Sequence, residues 1–416
     1  MISKTFCPLP WVHQATYSDG SILLCCVAEN ESDKNLNRGS LKEAWNSEHW
    51  KNTRKQMLAD QAPTACQRCW VEEKNGYRSH RVTELAIWEN RLGPEGMRML
   101  LDHTQEDGTL TLEPRALDLR LGNTCNLQCA MCRPQDSSKW TGLAKKIHAV
   151  AEDPLLRGDM GYKTRINQAD FEWQDRPEFW TDLEEKLPNL TEIIIGGGEP
   201  MLLHAHTEFL ERAVRSGHCG HIQLRYHTNL TVLPKHFLDL WVRFERVEIL
   251  ASIDAFGEKN HYVRYPAKWD DIERHLRWLE EMPPERFRVG ILSSIHLLTL
   301  FDFDQLLDWV AAQKFKLVTH GFKDMTLPGI VMHPNYLNVQ NYSAELKERT
   351  AEKLRSCMER HPRARNKLPG VLNFMFERDG SERLPAAREY VMRLDSIRKT
   401  SFPAVFPELA SLLLNP

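Results

Sequence analysis

The sequence of 416 residues has no long apolar run, no export signal and almost no imbalance of charge. Its apolar stretches, such as residues 297–301, fall far short of the ~20 residues that span a bilayer. The N-terminus, MISKTFCPLPW, has no apolar h-region, so the cytoplasm is the expected compartment and no membrane partner is expected. Lys and Arg (54) nearly cancel Asp and Glu (57), which excludes a protein that coats polyanions by overall charge. Gly (21) and Pro (22) are close to average usage, which excludes collagen-like and low-complexity chains. With 42 % hydrophobic and 27 % charged residues, the chain reads as ordinary globular protein, long enough for two or three domains.

Cysteine is plentiful, with ten residues at positions 7, 25, 26, 66, 69, 125, 129, 132, 219 and 357. Cytosolic thiols stay reduced, so a disulfide framework is not expected. Seven of the ten fall into two groups with ligand-like spacing.

Residues 1–95 read as an irregular Cys- and Trp-containing module. Within it, residues 40–60 have helical spacing, with Leu41, Trp45, Trp50 and Met57 on one side and Ser40 and Glu43 as a capping box. A polar, Gly-containing stretch, residues 96–112, reads as a linker. From Pro114 short apolar strands alternate with longer helical stretches, the pattern of βαβ units and a parallel sheet. Strands are expected near 116–121, 192–195, 221–225, 246–252, 287–292 and 316–319, with helices such as 204–216 and 270–281. A long gap, 132–189, carries an aromatic-rich insertion, FEWQDRPEFW. The expected fold is therefore α/β, a partial (β/α)6 barrel of parallel strands over residues 113–325. Residues 326–416 read as a loop followed by a C-terminal helical extension, with helices near 343–360 and 386–399.

The segment LGNTCNLQCAMCRP places Cys125, Cys129 and Cys132 directly after the first barrel strand, at the start of an expected helix. Three thiolates on one tight loop hold three irons of a 4Fe–4S cubane and leave the fourth iron open. A catalytic zinc keeps an open position by the same logic. Zinc is the structural alternative, and it would need a fourth ligand from elsewhere. In the second group Cys7 and Cys25 join the C-x2-C pair Cys66 and Cys69. Four thiolates suit either a closed zinc site or a fully ligated 4Fe–4S cluster, and spacing does not separate these. Cys26 adjoins a ligand and is expected to pack. Cys219 and Cys357 are isolated and expected to be free thiols.

CNLQCAMC after a strand resembles the signature of the radical SAM superfamily. That family binds S-adenosylmethionine at the open iron, and the reduced cluster cleaves it to methionine and a 5′-deoxyadenosyl radical. The resemblance implies cofactor contacts in this chain residue by residue. Met131 stands where the family usually has an aromatic residue near the adenine, and a methionine fills similar space. GGGEP, residues 196–200, resembles the GGEP motif, which implies that Gly197, Gly198 and Glu199 hold the methionine amino group. HTNL supplies Thr228 and Asn229, with Leu230 departing from the family's Thr-Asn-Gly. ASIDAF supplies Ser252 and Asp254 toward the ribose and its neighbourhood. Arg264 stands where relatives carry an arginine near the carboxylate. Each motif follows a successive strand, where ligands bind in parallel α/β folds. The resemblance spans about residues 114–325.

The pattern C…G-x4-C…C-x2-C with CPLPW resembles the auxiliary-cluster module called twitch, a shorter relative of the SPASM domain. Here it precedes the barrel, whereas it more often follows it. The resemblance implies a second 4Fe–4S cluster held by Cys7, Cys25, Cys66 and Cys69. It further implies an oxidoreductase-type enzyme acting on a small-molecule or peptide substrate, by oxidation or crosslinking, with a flavodoxin- or ferredoxin-type reductant.

Polar residues share faces on the expected strands: Asp118 with Arg120, Arg225 with His227 and Asn229, and Glu248 with Ser252 and Asp254. They suit a partly open barrel around a polar substrate. They also suit a buried ion network in which Asp118 pairs with Arg120 or Arg225. Tyr226, His227 and Glu248 are the candidate acid–base residues. Two other functions fit parts of the pattern. One is a non-catalytic iron–sulfur or zinc-binding interaction protein, against which the intact motif series argues. The other is a nucleic-acid-modifying radical SAM enzyme, for which the balanced charge gives no support.

Overall fold

The computed structural model describes residues 3–29, 32–74, 78–320 and 329–414. It comprises two compact units. The first holds Met1–Thr124, Asn167–Arg225 and His236–Val247, and the second holds Cys125–Ile166, Tyr226–Lys235 and Glu248–Pro416. Among the described residues no helix is long and apolar enough to cross a membrane.

The first unit is organised on strands β1 (His13–Thr16), β2 (Ile22–Leu23), β3 (Ala116–Leu121) and β4 (Glu192–Gly197). β1 and β2 form an antiparallel hairpin whose turn ends at Gly20, at φ +81°. A Cβ there would lie 3.0 Å from the Trp173 ring, so both backbone and space require glycine. β1 also pairs in parallel with β3, in the register His13 to Ala116, and β3 pairs in parallel with β4. The cysteine-bearing N-terminal segment thus extends the sheet.

The capping box at Ser40 and Glu43 forms as expected, but the helical stretch is two helices, Leu41–Trp45 and Glu48–Leu58. The stretch expected as a linker is packed structure. A helix runs from His80 to Asp102, broken at Gly93 (φ +65°) before Pro94. The following turn brings Gly108 against the Lys51 carbonyl, and its own carbonyl accepts from Arg54 Nη1 at 3.3 Å. Low apolar content hides this packing from a periodicity reading. The aromatic insertion is buried, with Trp173 and Phe179 edge-on at 4.8 Å and Trp173 Nε1 donating to the Ser18 carbonyl.

β5 (Gln223–Thr228) and β6 (Arg246–Ser252) have their first residues in this unit and the rest in the second. The second unit continues the order with β7 (Phe287–Leu292), and β9 (Val318–His320) pairs in parallel with β7. β8 (Ser294–Ile295) and β10 (Gly329–Ile330) make a separate two-stranded pair. The strands β3-β4-β5-β6-β7-β9 therefore follow one another in sequence order, the topology of a partial (β/α)6 barrel. β3, β6 and β7 match the expected limits, while β5 begins two residues later and runs three further. The helix His204–Ser216 also matches, and Gly217 ends it at φ +77°. The extension is helical, including Ala344–Arg360 behind the Ser343 cap and Leu384–Arg398.

His206 lies fully buried in the first unit, beside the Phe237 ring at 5.6 Å, and its Nδ1 donates to the Pro200 carbonyl at 3.1 Å. Burial pushes its pKa down to about 4. A histidine titrates near ~6.5 in an unfolded chain, so the unfolded state takes up the proton first as pH falls. Stability is therefore full above about pH 6.5 and declines toward pH 4. Calorimetry should show the melting temperature falling between pH 7 and pH 5. The fall should be smaller in His206→Gln.

Candidate functional site

The cysteine loop is not the start of a helix. Residues 125–139 are irregular, and the first helix after them is Trp140–Val150. The cause is visible in the bonds. Ser137 Oγ donates to the Leu127 carbonyl (2.6 Å), Trp140 Nε1 to that of Cys129 (2.8 Å), Tyr390 Oη to that of Ala130 (2.6 Å) and Arg398 to that of Gln128. The amides of Gln128 and Ala130 donate to the Tyr265 and Val263 carbonyls at 2.6 and 2.7 Å. A helix would have to take back each of these groups.

The loop gathers several residues expected around it. Asn229 Nδ2 lies 3.9 Å from Cys125 Sγ and donates to Asn126 Oδ1 at 3.0 Å, while Thr231 Oγ1 donates to Asn229 Oδ1 at 2.6 Å. Arg264 Nη1 lies 3.9 Å from Cys129 Sγ. Its Nε and Nη2 also grip Asp254, at 2.7 and 2.9 Å, in a fully buried carboxylate pair. Against the cost of burial, Asp254 and the Cys129 and Cys132 thiols hold the guanidinium charged. Asp254 Oδ1 accepts from the Ser294 amide as well, at 2.7 Å. The hydrogen bond from Cys132 holds the Cys129 thiol below its usual pKa, helped by Arg264, and pushes Cys132 well up. Met131, Ser252, His227 and Glu248 are half-buried. Tyr226 is fully buried with Leu224 and Thr228, on the strand face opposite His227, so alternation separates these two candidates. Leu230 adopts φ +56°, the left-handed backbone that favours glycine.

GGGEP lies in the first unit. Gly197 is at φ +119°, and a Cβ on Gly198 would lie 2.2 Å from the Thr124 carbonyl, the residue before Cys125. The Glu199 amide donates to that carbonyl at 2.8 Å. The Glu199 side chain is 1 % exposed, and its Oε1 accepts from the Met201 amide at 3.2 Å. Asp118 pairs with Arg120 at 3.4 Å, one of the two pairings expected of it, and Arg225 pairs with Glu192 at 3.5 Å.

The second cysteine group also lies in the first unit. Cys7, Cys25 and Cys69 are buried and Cys66 is half-buried. Burial pushes the Cys7 thiol up, and the neighbouring Cys66 and Cys69 push it further. Burial does the same to Cys25, joined by Cys26, Cys7 and Cys66. Burial also raises the Cys69 thiol, and neutral thiols held this way can be deprotonated by a bound metal. Among the described residues no three Cys, His, Asp or Glu side chains converge as tightly as a single ion requires. A cubane spreads its thiolates over separate irons and needs no such convergence. Cys26 does not pack as expected. It is exposed, with Sγ 3.9 Å from His80 Nε2. Cys219 and Cys357 are buried free thiols.

Residues 7–70 match the family model SPASM, an iron–sulfur cluster-binding domain. This match makes the N-terminal segment a SPASM-type iron–sulfur domain. Cys7, Cys25, Cys66 and Cys69 all lie within the matched residues and fit the iron–sulfur cluster that the domain's description names. No curated protein matches the chain. Among solved structures it is similar to native anSMEcpe with bound AdoMet and Cp18Cys peptide, at 13 % identity and TM-score 0.36, covering 61 % of each chain. Streptococcus suis SuiB bound to precursor peptide SuiA is similar at 11 % identity and TM-score 0.36, over 72 % of this chain and 60 % of SuiB. TYW1 with a lysine-pyruvate adduct bound is similar at 16 % identity and TM-score 0.29, over 58 % of this chain and 72 % of that one. The chain thus spans 61 % of the length of the first of these. Likenesses this distant leave the reading to rest on its own residues and on the matched domain.

Sequence reasoning passed over Asn126, Tyr390 and Arg398. Asn126 sits inside the quoted motif, but nothing local marks the other two. Removing one partner of a buried pair strands the other, at about 3–5 kcal/mol. Asp254→Asn should therefore lower the unfolding free energy from chemical denaturation by that order, and an unchanged free energy would show the pair is not closed in solution. Gly198→Ala would drive a Cβ into the Thr124 carbonyl and should lower the chemical-unfolding midpoint relative to wild type.

Proposed function

We propose that this chain is a radical SAM enzyme acting on a polar small molecule or a peptide side chain. When bound, the three-cysteine cluster and S-adenosylmethionine supply a 5′-deoxyadenosyl radical that abstracts hydrogen, and the second cluster passes an electron in an oxidation or crosslinking. The observation that carries the reading is the loop of Cys125, Cys129 and Cys132, a donor set one thiolate short of closing a cubane.

The chain's own residues have the following roles in this reading. Cys125, Cys129 and Cys132 bind the first cluster, and Asn229 and Arg264 direct N–H groups at two of those sulfurs, which tunes the potential of the iron. Glu199 and the backbone around Gly197 and Gly198 bind the methionine amino group, with Met131 near the adenine and Ser252 near the ribose. Asp254 orients Arg264 through one hydrogen bond at Nη2 and a close ion-pair contact at Nε. Cys7, Cys25, Cys66 and Cys69 bind the second cluster. Half-exposed Arg120 and Arg225, beside Asp118 and Glu192, suit a substrate with charged or hydrogen-bonding groups. His227 and Glu248 remain the acid–base candidates. Residues 1–95 would act as the auxiliary module and 113–325 as the barrel. Ten reduced cysteines suit a cytoplasmic protein supplied by a flavodoxin- or ferredoxin-type reductant.

Anaerobic reconstitution should load about eight irons per chain as two cubanes. Changing Cys125, Cys129 and Cys132 together to Ala should leave about four and abolish 5′-deoxyadenosine formation under a strong reductant. Iron that never exceeds four per chain, or a triple variant that still makes 5′-deoxyadenosine, would overturn the assignment.

A further inference from the structure

The cysteine loop is held from the far end of the chain. Tyr390 and Arg398 lie on one helix, Leu384–Arg398, both buried. Tyr390 Oη donates to the Ala130 carbonyl at 2.6 Å, and Arg398 Nη2 donates to that of Gln128. The two bonds bracket Cys129. Arg398 Nη1 also donates to the Tyr262 carbonyl at 3.4 Å, and its guanidinium sits 5.1 Å from the Tyr265 ring centre. Segment 262–265 is the same one that accepts the Gln128 and Ala130 amides, and it carries Arg264, whose guanidinium reaches Cys129 Sγ. Arg398 therefore joins the two segments that fix the position and the electrostatic surroundings of one thiol.

The placement is costly. A guanidinium 6 % exposed is bonded to carbonyls, not to a carboxylate, and a buried cation so placed is stabilising only through those bonds. Simple helix packing would be served by an apolar side chain.

We propose that Tyr390 and Arg398 are positioning residues for the three-cysteine cluster. They set the spacing of Cys129 from its neighbours, and with it the iron affinity and reduction potential of the site. The inference rests on the function proposed above.

The test compares full-length, anaerobically reconstituted wild type with Tyr390→Phe, Arg398→Lys and Arg398→Met. Tyr336→Phe is the control. It removes a hydrogen bond to Asp159 in the same helical layer, next to the Tyr390 ring, without touching the loop. The readouts are iron retained per chain, the paramagnetic resonance spectrum that changes on adding S-adenosylmethionine, and the midpoint potential of that signal. Tyr390→Phe and Arg398→Met should hold this cluster about 10–100-fold less tightly and shift its spectrum and potential. Arg398→Lys should recover part of the loss. The signal of the second cluster should be unchanged throughout, and Tyr336→Phe should match wild type. Wild-type spectra and potentials in Tyr390→Phe and Arg398→Lys would overturn the inference, as would an equal loss in Tyr336→Phe. Tyr390→Phe removes a single hydroxyl and carries the test if Arg398→Met does not fold. A wild-type protein with no iron at the loop would sink the functional reading together with this one, which separates the two failures.

Discussion

A loop that must hold three thiols without a helix or strand of its own has to satisfy its backbone in another way. Each buried carbonyl left without a donor costs about 1–3 kcal/mol. Here the carbonyls of Leu127, Gln128, Cys129 and Ala130 are taken by Ser137, Arg398, Trp140 and Tyr390. The amides of Gln128 and Ala130 go to Tyr265 and Val263. The loop is thus over-determined by side chains drawn from the following helix, from the Arg264 segment and from the C-terminal helix. Sulfur positions follow from that frame, and so does the count of three ligands.

Electrostatics works with the same frame. Burial raises the thiol pKa of Cys7 and Cys25, so at neutral pH these groups are protonated until a metal displaces the protons. A metal held there would contribute directly to the stability of the first unit. At the other group, Arg264 is held charged by Asp254 and lies against Cys129, a cation placed where thiolate charge develops. Asn229 adds a neutral donor at Cys125. The two cysteine groups therefore differ in character: one lies in mutually repelling burial, the other beside a fixed cation.

Much of this was legible in the sequence because it is local. The alternation of Leu117, Leu119 and Leu121 with polar neighbours marks β3 to the residue, and the apolar runs of β6 and β7 do the same. Ser40 and Glu43 announce their capping box. What was not legible is non-local. β1 is four residues, HQAT, too short and polar to read as a strand, and only its register with β3 makes it one. The helix expected at Cys125 failed because bonds from residues 137 to 398 outcompete helical ones. Tyr226 falls on the packed face because alternation puts it with Leu224 and Thr228. Tyr390 and Arg398 sit more than two hundred residues from the loop they bind, and no periodicity reports that.

The central claim is that one iron in the three-cysteine cluster is left for the amino and carboxylate groups of S-adenosylmethionine. Electron–nuclear double resonance on the reduced, anaerobic protein with 15N-amino-labelled S-adenosylmethionine tests it most directly. The account predicts a 15N coupling that disappears when Cys125, Cys129 and Cys132 are replaced. A cluster signal from that loop with no 15N coupling would contradict it.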